Sequence, residues 1–147
     1  MAAPPPDTRP GSARTVVAAL AVTIVRTGVL VLPFWWITGF VRVVNTGRAA
    51  SRSEVVRVLG AVDAAARTLP FRIACLERSL AGLALLAARR RRVTWCLGVR
   101  RAPPIALHAW LADTTGTPVA DSDTTSTYRP ILTVPSDEEE PHHDRRG

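Results

Sequence analysis

Lysine is absent from this chain: all 19 basic residues are arginine. That reads as the codon bias of a GC-rich genome ahead of any selection for guanidinium chemistry. Aromatic residues are sparse at 5%, with a single tyrosine, and there are only two cysteines and three histidines. Cys75 and Cys96 have no CxxC partner, so neither a zinc ribbon nor a disulfide framework is indicated, and a reducing compartment is the simpler reading. A long uncharged hydrophobic run is also lacking. Arg26 divides the apolar segment 15–44 into charge-free runs of 11 and 15 residues, both short of the ~18–20 that a spanning helix needs. Buried or membrane-surface helices are therefore expected there. A spanning helix and a signal peptide, with Arg9 and Arg14 ahead of "ALA" at 19–21, stand as alternatives. Acidic charge is scarce outside the tail: residues 8–136 hold 17 arginines against six acids. Such a surface favours an acidic peptide, a nucleic acid or an anionic membrane without choosing among them.

What is present fits one modest domain of 147 residues, 47% of them hydrophobic. Residues 1–14 are Pro-rich and expected to be disordered, 15–50 form an apolar helical segment broken around Pro33, 51–136 form the main domain, and 137–147 form a disordered charged tail. Ser51 followed by Glu54 reads as a capping box opening an amphipathic helix over roughly 52–69, closed by Pro70. A second helix is expected over 72–91, with Ile73, Leu76, Leu80, Leu83 and Ala87 on one stripe and Arg89–Arg92 in its last turn. The period then changes. "VTWCLGV" (93–99) and "IALHAWLA" (105–112) read as strands, "TTGT" as a turn and "PVAD" (118–121) as a return strand. Helices followed by a small antiparallel sheet make the fold class α+β.

The chemistry centres on "FRIACLERSLAG" (71–82). Cys75 falls in the first turn of its helix, where free N–H groups and the dipole favour a thiolate, as do Arg72 and Arg78 one turn to either side. An ordinary thiol is only a few per cent ionised at neutral pH, so a base is still required. His142 and His143 lie in the tail, where solvated side chains are expected in preference to a metal grip. His108 is left as the one credible imidazole. A two-residue loop at Thr115–Gly116 would set Trp110 opposite Asp121 and His108 opposite Asp123. This admits Asp121 and Asp123 as orienting acids and disfavours Asp113, which points to the other face; a one-residue slip reverses the parity. A packed core cysteine and a structurally satisfied strand histidine remain the alternatives to a triad.

"CLERSLAGLALL", "WCLGV" and "HAWLADTTGTPVADS", in that order, resemble the B-type maturation protease of lasso-peptide biosynthesis. That family is a group of bacterial leader peptidases in the transglutaminase-like, papain-related cysteine superfamily. The likeness covers about residues 55–123 and rests on Cys-Leu-x-x-Ser-Leu, a Gly-Val strand, His-Ala-Trp and a final Asp. The resemblance implies a transglutaminase-like cysteine peptidase domain over 51–136, with Cys75 as nucleophile, His108 as general base and acid, and Asp121 as orienting carboxylate. It implies a precursor peptide as substrate, and a separate leader-binding protein because no recognition domain fits ahead of the catalytic region. A lasso cyclase would consume the product. No cofactor, metal or nucleic acid is expected. The expected location is the cytoplasm, with membrane contact through 15–44 left open. An acyl-transferring member of the superfamily and a non-catalytic membrane-associated adaptor are the competing readings.

Overall fold

In the computed structural model, residues 12–120 and 122–134 are described. The expectations for residues 1–11, Asp121 and the tail from 135 onward lie outside the described residues. Helix α1 (Ser12–Val31) begins inside the stretch expected to be disordered, and α2 (Phe34–Val44) follows after a break at Pro33. Pro33 caps α2 with φ −61°, a value its ring already imposes. A two-residue strand β1 (Arg48–Ala49) leads to α3 (Arg52–Ala66) and α4 (Cys75–Ala88). The chain then runs through β2 (Arg91–Arg92), β3 (Thr94–Arg100), β4 (Leu107–Ala112), the short α5 (Ser122–Thr125) and β5 (Tyr128–Val134). The architecture is mixed α+β, with N-terminal helices and a small antiparallel sheet of order β4-β3-β5.

The Ser51–Glu54 capping box is present. Ser51 Oγ accepts from the Glu54 N–H at 3.3 Å, and the Ser51 N–H donates to the Glu54 carboxylate at 2.8 Å. The Ser51 backbone bond is the leading reason that the Glu54 carboxyl sits below its ordinary value. Helix α3 ends at Ala66, several residues before Pro70. Helix α4 is shorter than expected at both ends, and the arginine run is not its last turn. Arg89 caps it, Arg90 turns through φ +52°, and Arg91–Arg92 pair in parallel with β1. Asn45 closes this junction from the other side. Its buried amide donates to the Val93 carbonyl at 2.6 Å and accepts from the Val93 N–H at 2.9 Å, so the end of α2 is tied to the start of the sheet.

One core joins every layer. Ile37 and Val41 of α2, Val55 and Leu59 of α3, Leu80, Leu83 and Leu86 of α4, and Trp95, Ala109 and Leu111 of the sheet are buried together. Full burial of such side chains stabilises the fold by about 1.5–3 kcal/mol each before entropy is counted. Helix α2 and the elements that follow it thus share a single interior. Alternation along β3 and β4 sorts the sheet's two faces. Trp95, Ala109 and Leu111 meet the helices, while Cys96, Trp110 and Ala112 form a second cluster on the far side with Tyr128.

Two features of the sheet depart from the sequence reading. First, residues 118–120 of "PVAD" form no strand: only an isolated bridge, Ala112 with Pro118, is made there. The loop has three residues, not two. Asp113 N–H donates to the Thr117 carbonyl at 2.9 Å, Gly116 N–H to the Asp113 carbonyl at 3.0 Å, and Gly116 takes φ +82°, a conformation glycine adopts without strain. The register therefore slips by one residue. Second, β5 was not anticipated, because Pro130 interrupts its apolar pattern. The proline is accommodated on this edge strand beside a bulge opposite Leu97/Gly98.

Candidate active site

Cys75 is the first residue of α4 and follows Ala74, whose extended backbone (φ −82°, ψ 164°) begins the helix. Three residues on, Glu77 folds its carboxylate back to accept from the Ala74 N–H at 2.8 Å. This is half of a capping box, and it fixes where the helix starts. The N–H groups of the first turn have no partner within the helix, so the thiol sits at the positive end of the dipole. The two arginines expected to reinforce that end differ in role. Arg78 grips Asp63 of α3 through Nε at 2.6 Å and a second guanidinium nitrogen at 2.9 Å, so its charge is matched. Arg72 offers its backbone carbonyl to Arg26 at 3.3 Å.

The half-buried thiol lies at the free edge of β4, with Sγ 3.9 Å from the carbonyl oxygen of Leu107. That carbonyl points away from β3, since the preceding one, of Ala106, accepts from Arg100 within the sheet. Cys75 therefore abuts the peptide unit that leads directly into His108. The His108 ring itself lies on the sheet face away from the helices, stacked on Trp110 with centroids 5.8 Å apart and tilted against Tyr128 at 5.1 Å. The β5 bulge is what aims Tyr128 there. The extra residue shifts parity, so Tyr128 and Pro130 share the face of Thr133 rather than that of Val134.

The motif residues acquire separate tasks in this arrangement. Ser79 is buried, accepts the Trp95 indole N–H at 3.0 Å and donates to the Leu76 carbonyl at 3.0 Å, tying β3 to the turn that follows Cys75. Gly98 is opposite His108 in the β3–β4 ladder. A Cβ at Gly98 would fall 2.7 Å from the Trp110 ring and 2.8 Å from the Arg129 carbonyl oxygen, so the absent side chain makes room for the ring that stacks on His108. A cleft of about 390 Å³ opens beside this aromatic group, lined by Thr94, Cys96, Trp110 and Tyr128 among others. Burial pushes the Cys96 thiol up, with a side-chain hydrogen bond to Thr133 acting weakly against it.

Of the candidate acids, Asp121 lies outside the described residues. Asp123 is exposed in the first turn of α5. The slipped register removes the hairpin argument that set Asp121 on the imidazole's face, and Ala120, at φ +67°, turns the chain out of the extended conformation just before that residue. Asp113 is occupied as the clasp of its own turn. Its carboxylate accepts from the Thr115 N–H at 2.9 Å, the Thr115 hydroxyl at 2.6 Å and the Thr117 N–H at 3.0 Å. Burial pulls its carboxyl up, but the bonds from Thr115 and Thr117, with the charge of Arg52, together outweigh burial and hold it below the usual range. Sequence reasoning missed Tyr128 and the Ser79–Trp95 tie; the only signal for the latter is the serine of the Cys-Leu-x-x-Ser-Leu pattern. Among the described residues, no three His, Cys, Asp or Glu side chains gather as metal ligands would.

A family model described as the transglutaminase-like superfamily matches residues 19–133. No curated protein and no solved structure matches the chain.

Proposed function

This chain belongs to the transglutaminase-like superfamily, and from that membership we propose that it is a cysteine peptidase removing the leader from a ribosomally made lasso-peptide precursor. The observation that supports this most is the position of Cys75: a thiol at the first residue of a helix, against the peptide that carries the chain's one histidine among the described residues. In the proposed reaction the thiol gives its proton to His108, and sulfur attacks the carbonyl carbon at the leader–core junction. His108 passes the proton to the departing amine, which leaves a thioester; it then takes a proton from water, whose oxygen displaces the sulfur. Proton transfer of this kind contributes about 10²–10⁴-fold. The Cys75 N–H, at the start of α4, is the proposed oxyanion donor, and Asp121 the proposed orienting carboxylate. A separate leader-binding protein would raise the local concentration of the precursor, and a cyclase would take the freed core.

The test is mass spectrometry of the precursor after incubation with this protein and the leader-binding partner. Two fragments that together equal the precursor plus one water are expected. Cys75→Ala abolishes them, whereas Cys96→Ala, at a buried thiol, leaves most of the cleavage. An added mass on an intact precursor assigns acyl transfer instead. An unchanged precursor, or equal loss in the two cysteine variants, removes the peptidase reading.

A further inference from the structure

Helices α1 and α2 contain no acidic residue, yet much of their apolar surface faces outward. Ile24, Leu30, Val31, Trp35, Trp36 and Val43 are between 55% and 76% exposed. An apolar groove of about 550 Å³ runs between α1, α2 and the C-terminal half of α4, lined by Leu20, Gly28, Phe40 and Leu83 among others. Residues 13–31 are long and apolar enough to cross a bilayer, with a mean hydropathy of 1.7 and only 11% of that stretch buried.

Three attachments decide how α1 lies. Ala18 is buried, Val22 is buried with Val62 of α3 and Ala81 of α4, and Arg26 reaches Glu77 of α4 at 3.1 Å with its guanidinium 4.5 Å over the Phe71 ring. They follow one another along the helix, so its axis runs along the body of the domain. Spanning would withdraw all three and strand Glu77, which is only 6% exposed, without its cation.

From this geometry we infer that the α1–α2 face is a monotopic docking surface for an anionic bilayer, with α1 lying in the plane of the interface. Two observations favour lipid over a partner helix. A single helix, about 10 Å wide, would fill the groove but leave Leu30, Val31, Trp35 and Val43, which lie outside it, in water. Charge also fits: exposed Arg14 opens α1, Arg42 closes α2, and Arg57 and Arg89 line a pocket with Arg14. Glu54, Asp63 and Glu77, the acids of the neighbouring helices, are each engaged by an arginine. The Trp35–Trp36 pair, with ring centroids 5.2 Å apart at the α1–α2 bend, suits the headgroup boundary. The groove is lined by α4 from Leu80 onward, and Cys75 is not part of its lining.

The experiment is flotation of the full chain with vesicles of phosphatidylcholine alone or mixed with phosphatidylglycerol. The protein is expected to float with the mixed vesicles, to stay at the bottom with the neutral ones, and to be released by alkaline carbonate. Arg14→Gln with Arg42→Gln should lower partitioning roughly 10- to 30-fold, and Trp35→Ser with Trp36→Ser should also lower it. Circular dichroism on both variants checks that these exposed changes leave the fold intact. Failure to float with either vesicle overturns the inference, as does equal flotation with both. Carbonate resistance assigns a spanning helix instead. A stable dimer, or a complex with the leader-binding protein, that forms without any flotation assigns the face to that partner. Cleavage in vesicle-free solution is read separately, so loss of this inference leaves the peptidase reading standing.

Discussion

Two cysteines of the same chain differ by environment alone. Cys75 is half-buried at a helix start, whereas Cys96 is buried in the far-side cluster with its thiol pushed up by desolvation. Iodoacetamide on the folded protein should therefore modify Cys75 and spare Cys96 until denaturant is added, as read by peptide mass mapping. Labelling of Cys96 first would contradict this assignment. Asp113 makes a second residue-scale case. Its carboxyl is lowered on folding, so the turn's contribution is fully present above the unfolded value near ~3.9 and fades as pH falls through the lower folded value. Asp113→Ala should cost about 1 kcal/mol in urea unfolding near neutral pH, and less in strong acid. It should leave cleavage nearly intact, whereas Asp121→Ala should remove most of it. The reverse order would make Asp113 the orienting acid.

At the scale of elements, α4 is held in place by polar ties at its first turns and apolar contacts along its length. The Ser79 hydroxyl accepts the Trp95 indole N–H, and both groups are buried. Ser79→Ala leaves that N–H in a dry interior and should cost about 1–3 kcal/mol, measured by thermal or urea unfolding. Activity at a temperature where the variant is still folded should fall too, because the tie sits one turn beyond Cys75. A loss below the error of the unfolding measurement would show that water or another acceptor replaces the hydroxyl. The β4 strand shows how one element serves two faces. Ala109 and Leu111 fill the helix-side core, while His108 and Trp110 form the stack with Tyr128, and the thiol meets the edge between them.

Across the whole molecule, the apolar N-terminal helices are joined to the domain that carries the site. The Arg26–Glu77 pair links α1 to α4, and the Glu77 carboxylate also sets the N-terminus of the helix that begins with Cys75. Arg26→Leu should therefore destabilise the protein by roughly 1–3 kcal/mol, less than a fully buried pair would, because the guanidinium side is about a third exposed. Thermal unfolding of Arg26→Leu beside the double variant with Glu77→Gln provides the check. The double variant should lose less than the sum of the two single changes, since each single change strands one partner. Strict additivity would mean that the two groups do not interact.

Much of the plan was legible in residue patterns because the forces involved are local. Ser51 with Glu54 starts α3, Pro33 divides α1 from α2, the change from a 3.6 to a 2.0 period marks where helices give way to strands, and Cys75 falls in a first turn. What the sequence left open depends on groups that are distant along the chain. The three-residue loop at Asp113–Thr117 is set by a side chain clasping backbone N–H groups two and four residues on, and that one-residue difference moved the register on which the argument for Asp121 rested. Tyr128 reaches His108 only because a bulge in an edge strand reverses which side it faces. Composition and spacing alone determined the helices-then-sheet order and singled out Cys75 and His108 as candidates. Only tertiary packing decided which face each one occupies, because facing in a sheet turns on single-residue register, and register is fixed by contacts that no local pattern encodes.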